Sequence, residues 1–279
     1  MTRVAVVGHV EWIEFARVPR LPGPGDIVHA SECWEEAGGG GAVAAVQLAR
    51  LGSGADFFTA LGNDARARAS AERLAAHGVR VFAAPREVPQ RRGFTHIDAD
   101  GERAITVIGE RIVPHGEDPL PWERLAETDG VYFTGGDAGA LRAARQAHAL
   151  VATPRADATL LSAGVRLDAL VRSGSDAGEQ LDPARLDPAP RYVVTTAGSR
   201  GGRWEAADGA SGTWEAVPLP GPRRDAYGAG DSFAAALAYG LGDGRGIEGA
   251  CTLAARAGAH KMTGRAPYDR QLEAADLPS

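Results

Sequence analysis

Short apolar runs alternate with alanine- and arginine-rich stretches along most of the chain. Val4–Val7, Asp56–Ala60, Gly130–Phe133, Thr159–Leu161 and Tyr192–Thr195 have the length and apolar content of buried strands. Between them, Ala65–His77, Leu141–Leu150 and Ser232–Leu241 read as helices. Strand and helix in alternation predict an α/β protein around a mainly parallel sheet. Two segments break the rhythm. Residues 11–36, rich in Pro, Glu and Trp, lie between the first strand and the first helix. Residues 91–113 read as a hairpin: Gly93–Ile97, a turn at Asp98-Ala99-Asp100-Gly101, then Ala104–Ile108 with its β-branched residues. Together they predict a small β lid, built from parts of 11–36 and 88–113, on a single domain spanning 1–279. No repeat or low-complexity linker divides the chain.

Composition narrows the class. Hydrophobic residues at 44% and charged ones at 24% fit an ordered globular protein. No stretch approaches the roughly 20 apolar residues of a membrane helix, so no membrane partner is expected. The first apolar run is too short for a signal peptide, and Cys33 and Cys251 are too few for a disulfide framework. The expected location is cytoplasmic. A net charge of −6 argues against nucleic acid as a partner. Of the 30 basic residues only Lys261 is a lysine, and it lies in no G-x-x-x-x-G-K-[ST] frame. Any nucleotide phosphates must then be held by backbone amides, arginine or a metal.

The strongest motif runs Arg224-Asp225-Ala226-Tyr227-Gly228-Ala229-Gly230-Asp231-Ser232-Phe233. Two glycines flank a small residue, an aspartate follows, and an apolar helix begins, with Phe233, Leu237 and Leu241 on one stripe. Free amides of Gly228, Ala229 and Gly230 at a helix N-terminus would make an anion site. An aspartate there repels phosphate in the ground state, an odd choice unless it does chemistry; as a general base it could accept the proton of an attacking hydroxyl. The plainer alternative makes Asp231 an N-cap after a glycine turn.

Asp225-Ala226-Tyr227-Gly228-Ala229-Gly230-Asp231 resembles the second signature of the PfkB/ribokinase family of carbohydrate kinases, Asp-Thr-x-Gly-Ala-Gly-Asp. Four further stretches are similar to family motifs and fall in the family's order. Gly38-Gly39-Gly40-Gly41, leading to Ala49-Arg50-Leu51-Gly52, resembles the first signature. Ala60-Leu61-Gly62-Asn63-Asp64 with the later Gly78-Val79, Thr195–Gly201 and Thr263–Tyr268 are the others. The resemblance implies a three-layer α/β/α sandwich with a β lid, and an ATP-dependent kinase acting on a hydroxyl of a sugar-like small molecule.

The resemblance assigns roles by position. Asp231 would be the catalytic base, and Gly228, Ala229 and Gly230 the anion hole. Thr196, Gly198, Gly201 and Asp225 would serve ATP. Asp176 and Glu179 stand where the family has an Asn-x-x-Glu motif that organises Mg²⁺, and their i, i+3 spacing puts both on one helical face. Without the family, Ser175-Asp176-x-x-Glu179 is an ordinary capped helix start. A requirement for a monovalent cation stays open.

Departures cluster on the acceptor side. The sugar-binding asparagine of the first signature falls at Val43 or Ala42, and the ribokinase lysine at Gly40. The aspartate after the first strand is missing; His9, Glu11 and Glu14 are near its place. A valine cannot hydrogen-bond a hydroxyl, so ribose bound in the usual way is not expected. His9, Glu11, Gly38, Gly39, Gly40 and Val43 are the candidate acceptor residues. Trp12 and Trp34 either stack on a ligand or pack lid against core.

Other chemistries lack support. The seven histidines show no metal-ligand spacing, there is no G-x-S-x-G elbow, and no G-x-G-x-x-G follows Val4–Val7. A nucleoside acceptor is the enzyme alternative, and a catalytically weak sugar-binding regulatory protein of the same fold is the other. Exposed lid edges seek partners, which makes a homodimer through the lid the expected assembly.

Overall fold

The structure is a computed structural model, and it describes residues 2–277. Met1, Pro278 and Ser279, the ends of the expected 1–279 domain, lie outside them. A nine-stranded sheet forms the body. Its strands are β1 (Val4–Val7), β4 (Ala55–Leu61), β5 (Val79–Pro85), β8 (Gly130–Phe133), β9 (Ala149–Ala152), β10 (Ala169–Ser173), β11 (Tyr192–Thr196), β12 (Gly202–Ala206) and β13 (Ser211–Trp214). The order is β13-β12-β11-β10-β9-β8-β1-β4-β5, parallel from β11 to β5 and antiparallel only at β12 and β13. A second sheet of β3 (Glu32–Gly38), β2 (Glu11–Arg17), β6 (Arg92–Ile97) and β7 (Arg103–Ile108), in that order, is the expected lid. Strands β2 and β6 run parallel, so the lid joins two separate hairpin-like pairs.

Alternation along β1 explains the three layers. Val4 and Val6 face one core, with α1 (Gly39–Leu51), α5 (Ala229–Gly242) and α6 (Gly246–Lys261). Ala5 and Val7 face the other, with α3 (Ala138–Ala144) and α4 (Asp157–Ala163). Successive strand side chains point to opposite faces, so a run apolar at every position marks a sheet covered on both sides. Helix α2 (Ala65–Ala76) starts where Asp64 accepts the Ala67 amide at 3.0 Å. No helix among the described residues is long and apolar enough to cross a membrane.

Two expected elements differ. Thr159–Leu161 is not a strand but lies inside α4. The expected helix Leu141–Leu150 ends at Ala144, and its last residues enter β9. Both runs are too short and too rich in alanine and leucine for periodicity to separate helix from strand.

Candidate active site

Functional side chains gather beyond the carboxyl ends of the parallel strands, where the chain order reverses about β1. Open α/β sheets bind ligands at such a crevice. His9 follows β1, Thr134 follows β8, and their side chains meet with Nδ1 to Oγ1 at 3.3 Å. Two glycines shape the space. A Cβ on Gly8 would lie 3.1 Å from the Thr134 side chain, and one on Gly40 would lie 2.6 Å from Asp231 Oδ1. Gly40 thus lets the first turn of α1 run directly beneath the aspartate.

Asp231 occupies the first turn of α5, whose N-cap is Gly228 at φ 75°. Its carboxylate therefore does not cap the helix. Burial pushes its pKa up to about 6, helped by Glu179 and opposed by Arg155 and Arg103. No hydrogen bond or ion pair from the described residues satisfies it. Of the three expected anion-hole amides, Ala229 N–H turns inward to Ala226 O at 3.3 Å. That corrects its role: Gly228 and Gly230 keep amides free of acceptors among the described residues, and a Cβ at Gly230 would meet open space.

His9 and Glu11 sit beside Gly39, where a Cβ would come within 3.3 Å and 3.2 Å of them. Glu11 pairs with Arg91 at 3.0 Å. Burial raises the Glu11 pKa, Arg91 and Arg111 opposing. Burial holds His9 well below its usual pKa, with Arg111, Arg91 and Arg155 adding to the effect, so the imidazole is neutral near pH 7. Arg111 was not foreseen. Its Nη2 donates to Thr134 O at 2.8 Å and reaches His9 Nδ1 at 3.1 Å, while Nη1 donates to Arg155 O. It follows the lid hairpin by three residues, in no pattern that marks it.

Three candidates are placed elsewhere. Val43 is fully buried, and its Cγ1 lies 2.7 Å from where a Gly228 Cβ would stand. It packs beneath the Gly228 turn rather than facing the crevice expected to take the acceptor. Gly38 is likewise closed in, its missing Cβ matched by Ile13 and the Tyr227 hydroxyl. Asp225, expected at ATP, is also fully buried. Its oxygens accept Tyr227 N–H and Ala266 N–H and pair with Lys261.

Of the residues expected at ATP, Thr196 ends β11 and Gly198 and Gly201 close a tight turn, with Ala197 N–H on Gly201 O at 2.8 Å. Any Cβ on Gly201, at φ 79°, would overlap the Trp214 backbone. Asp176 and Glu179 flank a short 3-10 turn, and both bind Arg155, Glu179 at 3.0 Å. Asp176 also caps that turn through Gly178 N–H at 2.8 Å. Two carboxylates suit Mg²⁺, which keeps most of its shell as phosphate and water oxygens. No cluster of three or more potential ligands occurs among the described residues. Trp12 and Trp34 are packing residues: Trp12 Nε1 donates to Glu35, and Trp34 stacks on Phe15 at 5.1 Å beneath Arg265.

The profile of the pfkB family of carbohydrate kinases matches residues 1–165 and 167–272. No curated protein matches the sequence. Among solved structures, ribokinase from Giardia lamblia is 18% identical with a TM-score of 0.82, covering 99% of this chain and 98% of its own. Arabidopsis thaliana ribokinase complexed with ribose and ATP is 20% identical, TM-score 0.76, covering 99% and 97%. A nucleoside kinase of Methanocaldococcus jannaschii is 17% identical, TM-score 0.73, covering 99% and 96%.

Proposed function

The chain belongs to the pfkB family of carbohydrate kinases, and on that premise we propose that it phosphorylates a hydroxyl of a sugar or sugar-like small molecule with ATP. The acceptor oxygen attacks the γ-phosphorus, its proton passes to Asp231, and ADP leaves. One observation carries this reading: an unpaired, half-buried carboxylate beside the Gly228 and Gly230 amides. The amides favour the charge that builds on the phosphoryl oxygens. The carboxylate, with its pKa near 6, is mostly ionised at pH 7 yet basic enough to take a proton.

Thr196, Gly198 and Gly201 would carry the nucleotide phosphates, in keeping with the ATP bound by the Arabidopsis relative. Asp176 and Glu179 would hold Mg²⁺, which neutralises charge shared by the β- and γ-phosphates. Neutral His9, Glu11, Gly39 and Arg111 would meet the acceptor. The aromatic rings of Trp12 and Trp34 are spent on packing, which favours a sugar over a nucleobase. The exposed β7 edge supports a homodimer through the lid.

ADP release measured across a panel of sugars and nucleosides, with Asp231→Asn as control, tests the proposal. A sugar-dependent release lost in the variant is expected. Ligand binding without release for any acceptor would instead support the regulatory alternative.

A further inference from the structure

The chain's single lysine lies where a charge is costly. Lys261, the last residue of α6, has no exposed surface, and its Nζ lies 3.3 Å from Oδ1 of the equally buried Asp225. A buried ion pair adds little to stability, since apolar residues of similar size often do as well. The chain uses arginine at 29 of its 30 basic positions. A compact ammonium is here in place of a planar guanidinium, and the two differ in shape and donor geometry.

Asp225 explains what such a cation does. Its Oδ1 also accepts Tyr227 N–H at 3.1 Å, and Oδ2 accepts Ala266 N–H at 2.9 Å. The Tyr227 hydroxyl in turn accepts Gly39 N–H at 2.8 Å, and Ala266 O accepts Trp34 Nε1–H at 2.9 Å. One carboxylate therefore ties together the turn entering Gly228, the start of α1 and lid strand β3. Two of these links, from Tyr227 N–H and Ala266 N–H, end on the carboxylate itself. A carboxylate buried this completely is costly without a paired positive charge.

We propose that the Lys261 ammonium is a tethered cation that fixes the Asp225–Gly228 turn, making Lys261 a positioning residue for phosphoryl transfer and freeing the enzyme from any particular monovalent cation in solution. The turnover part rests on the kinase reading above; the loop part does not.

The test begins with the unaltered protein. Turnover with its acceptor should be the same in potassium, sodium or tetramethylammonium chloride. A several-fold activation by potassium would overturn the proposal. In Lys261→Ala, kcat should fall roughly tenfold or more while the KM for ATP moves less, since a displaced anion hole chiefly costs the transition state. Ammonium or methylammonium should restore part of it by filling the vacated charge site. Undiminished turnover, or a loss that no small cation reverses, would overturn it. Should that variant fail to fold, Asp225→Asn/Lys261→Met removes both charges together; low turnover insensitive to ammonium is expected, and wild-type turnover would overturn the proposal. Hydrogen exchange at the Tyr227–Gly230 amides gives a readout independent of turnover. It should quicken in Lys261→Ala and slow again with ammonium. If the wild type turns over no acceptor, the kinase reading fails, and unchanged exchange at these amides would separately refute the loop role.

Discussion

Gly40 and Asp231 are in such close contact that a methyl group on the glycine would stand 2.6 Å from the carboxylate oxygen and 3.3 Å from its carbon. A Gly40→Ala variant must therefore push Asp231 away from the crevice. Misplacing a reacting group by about 1 Å can cost on the order of 10²-fold in rate. Turnover should drop on that scale while nucleotide affinity holds, by steady-state kinetics and calorimetry. Normal turnover in Gly40→Ala would show that Asp231 is not positioned for chemistry.

On the proposed mechanism, replacing Asp231 with Asn keeps the shape and removes the base. The rate should fall by roughly 10²–10⁴-fold, the usual contribution of a positioned base. ATP affinity should hold or rise as a negative charge leaves the γ-phosphate. The pH profile of kcat/KM should rise through pH 6, because the carboxyl must be ionised to accept a proton.

Stability should move the other way. Asp231 titrates near 6 in the folded protein against an ordinary 3.8, so the folded state binds its proton more tightly than the unfolded state. The folded state therefore loses stability as pH rises from about 4 to 6. Asp231→Asn escapes that loss. Thermal unfolding should place the variant above wild type at pH 8, with the gap closing toward pH 4. A variant less stable at pH 8 would contradict a half-buried carboxylate left without a partner.

Glu179 holds Arg155 and accepts Ser173 N–H at 2.7 Å. If it also serves the metal, Glu179→Gln should raise the Mg²⁺ concentration needed for half-maximal rate, since the amide keeps the fold but not the charge. A variant that only melts earlier, with an unaltered Mg²⁺ dependence, would make Glu179 a structural partner of Arg155.

Strand β7 is exposed along its whole length, with Ile105, Val107 and Ile108 each 42–43% exposed. Apolar residues on an unpaired sheet edge invite a second strand. Light scattering should give a dimer for the wild type and a monomer for Ile105→Lys/Val107→Lys. A wild-type monomer at high concentration would rule the lid interface out.

The sequence made some of this visible and hid the rest for physical reasons. Glycine spacing exposes the Gly228 and Gly201 turns, because both glycines stand at positive φ, which admits few other residues. The lid hairpin shows through its turn at Asp98–Gly101 and its β-branched strand. Asp225 and Val43 matched family positions, yet their burial depends on α6 and on the loop above them, which local pattern does not report. Arg111 is one arginine among 29 and acquires its place only when β1 and β8 come together. Strand β9 was concealed because Ala-Leu-Val-Ala follows an alanine-rich helix without a glycine or proline between.

Strand β3 ends at Gly38 and α1 begins at Gly39, with no residue between them. The lid is therefore geared directly to the helix that carries Gly40. Any tilt of the sheet turns that helix's first residues, and with them the surface against which Asp231 rests. If Asp231 is the base, closing over an acceptor and aligning that base would be one mechanical event. On the proposed mechanism, a molecule too small to draw the lid down would find the base out of line, a check on size that would need no contact with the far end of the substrate.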